Sequence, residues 1–164
     1  MRLVLQRVAR ARVQVGGETV GEIGRGVLVL AGVERGDGRA EVAAAVRKLA
    51  GLRLFEDEAG RMNLATSEVG GAFLVVSQFT LAGSLARGRR PSFDGAAPPE
   101  EAEPLVAALV DGLRAQALPV ATGRFRAHMQ VELVNDGPVT FVLDVRGAAP
   151  ASEWSALVSH RGVA

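Results

Sequence analysis

Gly26-Val27-Leu28-Val29-Leu30-Ala31-Gly32-Val33 contains no polar side chain. A run this short, this apolar and bounded by glycines reads as a β-strand buried on both faces. Such a strand needs packed material on each side of its sheet, so the stretch points to a layered or barrel-like fold. Working back, Val13 and Val15 alternate with polar residues, Gly16-Gly17 offers a tight turn, and Thr19 to Ile23 can return as the partner strand. Working forward, Gly36-Asp37-Gly38 breaks the chain. Ala40 to Ala50 then places Val42, Val46 and Leu49 at helical spacing, with Arg47 and Lys48 in the last turns, where cations suit the helix dipole.

Leu52 to Phe55 reads as a short strand and Glu56 to Gly60 as a turn. Ala72 to Leu81, between Gly70-Gly71 and Gly83, is the strongest strand signal in the chain. A polar loop over residues 83–97 follows, carrying Arg87, Arg89, Arg90 and Pro91. Pro98-Pro99-Glu100-Glu101 opens a second helix with prolines first and acids in the first turn. Leu105, Leu109 and Leu113 mark its apolar face, and Pro119 stops it. Met129, Val131 and Leu133, then Val139 to Val145, predict two more strands joined through Asn135-Asp136-Gly137-Pro138. From Gly147 onward Ala, Gly, Pro and Ser predict a loosely held tail with one helical turn near Trp154. The expected class is α+β: one domain with a largely antiparallel, barrel-like or two-layer β-sheet and two main helices. Residues 1–145 form that domain, and residues 146–164 a C-terminal tail without an assigned role.

The 164 residues suit one domain, which at this length buries roughly 70% of its unfolded surface and needs no disulfide staple. The absence of cysteine excludes disulfide frameworks, Cys nucleophiles and Cys-ligated metal centres. Two histidines, His128 and His160, argue against a His-built metal site. Nineteen Lys and Arg against eighteen Asp and Glu give a net charge of +1, which excludes a strongly basic nucleic-acid coat but not a local patch. The N-terminal apolar stretch is too short and interrupted for a signal peptide, and no run approaches the ~20 residues of a membrane span. A cytoplasmic location without membrane attachment is the expectation.

Gly16 to Gly26 matches neither G-x-G-x-x-G nor G-x-x-x-x-G-K-[ST] and lies between strands, so hairpin turns explain its glycines. A Ser–His–Asp triad can be drawn from Ser77, His128 and Asp144, but Ser77 lacks the G-x-S-x-G elbow. Two segments stand out. In Ser77-Gln78-Phe79-Thr80-Leu81 a buried apolar strand acquires three polar side chains. Left unpaired in a core, these cost about 1–3 kcal/mol each, so they line a cleft or else bond back to the main chain on an edge strand. Gly137-Pro138 sits directly before a strand, an ordinary place for proline.

Taken with Gln6-Arg7-Val8, Met62-Asn63-Leu64, Arg90-Pro91-Ser92-Phe93 and Asn135-Asp136-Gly137-Pro138-Val139-Thr140, in this order and spacing, the sequence closely resembles the D-aminoacyl-tRNA deacylase family over residues 1 to about 145. The resemblance implies hydrolysis of the ester that joins a D-amino acid, or glycine, to the 3′-terminal adenosine of tRNA. An aminoacyl ester is already activated, so backbone N–H donors aimed at the oxyanion suffice without a strong nucleophile. The resemblance places those donors around Phe79 and Thr80, within the catalytic segment Ser77, Gln78, Phe79 and Thr80. The terminal 2′-hydroxyl assists, and Thr80 positions rather than attacks, since no base beside it is evident.

The resemblance also implies a cis Gly137-Pro138 pair that enters the partner subunit's site, grips the α-amino group and rejects L side chains. Arg7 fastens that pair, and Phe125 and Met129 hold the adenosine. The expected enzyme is a homodimer with sites at the subunit interface, free of metal and cofactor. In Phe125-Arg126-Ala127-His128-Met129, the family more often has small or acidic residues at 126 and 128, so this rim is more positive than usual. Arg87, Arg89 and Arg90 are candidates for acceptor-stem phosphates, with a solvated loop as the alternative. Two rival readings are a non-catalytic module that binds the tRNA end and a small-ester hydrolase using Ser77 or Thr80 with His128.

Overall fold

Gly16 and Gly17, at φ of 58° and 84°, turn the first strand, β1 (Arg2–Val15), back onto β2 (Glu18–Ile23) as an antiparallel pair. The computed structural model describes residues 1–86 and 88–146. β3 (Gly26–Gly32) pairs antiparallel with the first half of β1, from Arg2↔Gly32 to Val8↔Gly26. It then pairs parallel with β6 (Ala72–Ser77), which pairs parallel with β7 (Val120–Thr122). The sheet order is β2-β1-β3-β6-β7, with β8 (Gln130–Asp144) along the other edge of β1. β4 (Arg53–Glu56) and β5 (Met62–Ala65) form a separate hairpin. The antiparallel expectation holds around β1. The β3-β6-β7 side is parallel, so the sheet is mixed.

This sheet rolls into a nearly closed barrel because β2 meets β7 at Gly21. A Cβ there would run into the backbone carbonyl of Thr122. The barrel separates two cores. Val8, Ala11, Val13, Ile23, Leu28, Leu74 and Val76 fill its inside. Outside, Leu3, Leu5, Val27, Val29, Phe73 and Val75 meet the helices α1 (Arg39–Gly51) and α2 (Pro99–Ala115). β3 contributes Leu28 to one core and Val27 and Val29 to the other, as its uninterrupted apolar run requires. α1 starts at Gly38, whose N–H donates to the Glu41 carboxylate at 2.7 Å. It packs against α2 where Gly112 lies on Val46.

Two expectations are corrected. β6 ends at Ser77, not Leu81: Gln78 breaks the extended run and Phe79–Ala82 forms a 3₁₀ turn. The two strands expected around Asn135-Asp136-Gly137-Pro138 are one strand, β8, whose irregular middle matches register shifts in β1 between Gln6 and Arg10. The predicted tail beyond Arg146, with its helical turn near Trp154, lies outside the described residues.

Candidate active site

Where β6 gives way to the 3₁₀ turn, the chain opens one wall of a cavity of about 570 Å³. Ser77, Gln78 and Phe79 line this wall, and Phe125 and Met129 also line the cavity. The turn leaves polar backbone at the opening. Its later N–H groups are used, Leu81 donating to Gln78 at 3.2 Å and Gly83 to Thr80 at 3.0 Å. No described residue accepts from the N–H of Phe79 or Thr80, as expected for the first donors of a helical turn. The Gln78 amide donates to the Thr80 hydroxyl, which fixes two polar side chains against each other. Phe79 is 59% exposed, an unusual position for phenylalanine, and tilts against Phe93 with ring centroids 5.0 Å apart. Ser77 to Thr80 therefore edge a cleft.

Thr80 is exposed beside the cavity rather than among its lining residues. Ser77 and His128 both line it, but no hydrogen bond joins them. Asp144 is engaged by Arg2 at 2.7 Å, so the Ser–His–Asp triad does not assemble. Among the described residues no three of His, Asp and Glu gather around a possible metal position. No helix among them is long and apolar enough to cross a membrane. Sequence reasoning missed the contribution of α2, whose Pro99, Ala102 and Val106 line the cavity. Their i, i+3, i+7 spacing on one helix face was the available signal.

Gly137 and Pro138 are elsewhere. Their peptide bond is cis, both are exposed on β8, and neither lines the cavity of its own chain. Arg7 is 5% exposed and reaches that segment from β1. Its guanidinium donates to the carbonyls of Asp136 and Leu54, each at 2.8 Å, with the carboxylates of Glu56 and Asp136 at 3.5 Å. Asn135 completes the clamp by donating to the carbonyls of Arg7 and Val139, at 2.9 and 3.0 Å. Five donors in a rigid planar fork suit Arg7 to holding two main-chain carbonyls from different elements.

The family model for D-Tyr-tRNA(Tyr) deacylase matches residues 4–144, which include the cavity walls and the Arg7 clamp. The chain belongs to this family. A Geobacter sulfurreducens protein named D-aminoacyl-tRNA deacylase is 57% identical over 152 residues, spanning 93% of this chain and 100% of the relative. A relative of the same name from Symbiobacterium thermophilum is 60% identical over 144 residues, 88% of this chain and 95% of its own. Among solved structures, one described as c-Myc DNA Unwinding Element Binding Protein superposes with a TM-score of 0.82 at 41% identity, covering 92% of this chain and 100% of its own. A probable eukaryotic D-amino acid tRNA deacylase shares the fold at a TM-score of 0.74 and 18% identity, covering 88% of this chain and 98% of its own.

Proposed function

We propose that this chain is a cofactor-free D-aminoacyl-tRNA deacylase. It hydrolyses the ester linking a D-amino acid, or mischarged glycine, to the 3′-terminal adenosine of tRNA. The observation that carries this reading is the pair of unclaimed N–H donors at Phe79 and Thr80 beside a cavity large enough for a nucleoside, in a chain of this family. Water adds to the ester carbonyl, and the N–H donors receive the negative charge that develops on its oxygen. The 3′-oxygen then leaves with a proton, with help from the neighbouring 2′-hydroxyl. Preorganised donors of this kind contribute several kcal/mol to an acyl transfer. Phe125 and Met129 hold the adenine, and Ser77 and Gln78 shape the acyl side.

Chiral choice falls to Gly137-Pro138. The pair is exposed and does not line its own chain's cavity, which supports a role in the cavity of a second copy. There its main-chain carbonyls bind the α-amino group and leave no room for an L side chain, while glycine fits. A thousandfold preference needs about 4 kcal/mol, within reach of one unrelieved clash. The working unit is accordingly a homodimer, and the place of action is the cytoplasm, where tRNA is charged.

Turnover of D-tyrosyl-tRNA beside L-tyrosyl-tRNA by the purified protein tests the reading. Hydrolysis of the D ester alone supports it. Binding of the tRNA end without hydrolysis of either ester would make the chain a non-catalytic module. Equal cleavage of L-aminoacyl and simple esters would make it a general esterase.

A further inference from the structure

Along 125–129 exposure alternates. Phe125, Ala127 and Met129 are partly buried, while Arg126 and His128 between them are exposed, and all five line the cavity. Among the described residues of that lining, Arg126 and His128 alone are charged or titratable. Neither forms an ion pair with a described residue, whereas neighbouring Arg124 has Glu18 at 4.0 Å. Glu103 and Asp111 line a smaller adjoining groove that shares Ser77, Val106 and Phe125 with the cavity. Arg126 also occupies a left-handed position, φ 59°, in a turn closed by the Ala127 N–H to the Arg124 carbonyl at 3.2 Å. That position disfavours any residue with a Cβ, so local backbone preference does not account for an arginine there.

We infer that Arg126 and His128 form an anion-binding rim for the phosphate that joins the terminal adenosine to the preceding nucleotide. The inference rests on the reading of the cavity as the terminal-adenosine site. With the adenine between Phe125 and Met129 and the ester at the Phe79 turn, the nucleoside's 5′ oxygen is the remaining exit for the RNA chain. The first charge along it is a phosphate. A guanidinium meets phosphate oxygens with paired N–H donors, and an imidazole N–H adds a third in either protonation state. The rim positions the tRNA end and takes no part in the bond changes.

Calorimetric titration with adenosine and with adenosine 5′-monophosphate isolates this contact. The monophosphate should bind roughly three- to tenfold more tightly at low salt, as befits one exposed charge-assisted contact, and the advantage should shrink as salt screens it. Arg126→Gly suits the left-handed turn and removes the guanidinium without backbone strain. It should remove most of the monophosphate's advantage and raise KM for D-aminoacyl-tRNA more than it lowers kcat. His128→Asn should reduce the ratio in part. If adenosine binds but the monophosphate binds no more tightly, or if the ratio survives Arg126→Gly, the rim inference is overturned while the adenosine site stands. If inorganic phosphate displaces the monophosphate at equal concentration, the rim takes free anions and the inference is overturned as well. If adenosine itself fails to bind, the adenosine-site reading falls and the rim with it.

Discussion

Arg7 is a buried cation that ties two main-chain carbonyls together. Removing it strands the Asp136 and Leu54 carbonyls, each an acceptor in a part-buried or buried bond. An orphaned buried acceptor costs about 1–3 kcal/mol, so Arg7→Met should lower unfolding free energy by roughly 2–4 kcal/mol in urea titration. Arg7→Lys should not restore it, because one ammonium cannot reproduce a planar fork that spans two elements. Thr80 makes the opposite case. Its hydroxyl accepts from Gln78, while the donors proposed for the oxyanion belong to the backbone. Thr80→Ala should therefore slow D-tyrosyl-tRNA turnover by no more than about tenfold, the worth of one neutral hydrogen bond. Complete loss of turnover in a folded protein that still binds tRNA would instead make Thr80 the nucleophile.

The elements depend on a few close approaches. At Gly21, β2 lies so near Thr122 that a side chain must push the barrel seam open. Gly21→Ala should cost roughly 1–3 kcal/mol of stability, while Gly24→Ala, whose Cβ meets nothing within 4 Å, should be close to neutral. At the far end of the β1–β8 pairing, the hydrogen bond from Arg2 holds the Asp144 carboxyl below its ordinary range, against the opposing effect of burial. A depressed carboxylate stabilises the fold above its unfolded value near 3.9, and the contribution is lost as pH falls through the lowered value. Asp144→Asn should thus flatten the acid limb of stability against pH below about pH 4. Both partners are over one-third exposed, so the effect should stay within about 1 kcal/mol. Legibility in the sequence followed the same physics. β3 and both helices were readable because burial on two faces, or on one helical stripe, repeats over many residues. β5 and β7, of four and three residues, are too short to carry a period. Asn135-Asp136-Gly137-Pro138 misleads because a bulge and a hairpin turn draw on the same residue types, and only the matching irregularity in β1 distinguishes them. The polar break after Val76 left a cleft and an edge strand open as alternatives, and it did not single out the α2 face that helps line the cavity.

At the scale of the whole molecule, Gly137-Pro138 is exposed on β8 and does not line the cavity of its own chain. β8 pairs with β1 alone, so its outer edge is unpaired among the described residues. Val134, Phe141 and Val142 are exposed along it, the last at 65%. A long free edge with apolar side chains invites pairing with another chain, and soluble proteins usually protect such edges. In the proposed dimer, a second copy against this edge would cover it and supply its Gly137-Pro138 to the cavity. On that proposal, assembly and chiral choice depend on the same surface. Light scattering should find a dimer at micromolar concentration, and D-ester turnover per chain should fall as dilution drives the equilibrium to monomer. Phe141→Glu, which places a charge on the exposed edge outside the cavity, should shift dissociation to higher concentration, with activity following the dimer fraction. A monomer that cleaves D-aminoacyl-tRNA as fast and as selectively as the dimer would show that each chain carries a complete site, and the cross-subunit role of Gly137-Pro138 would be wrong.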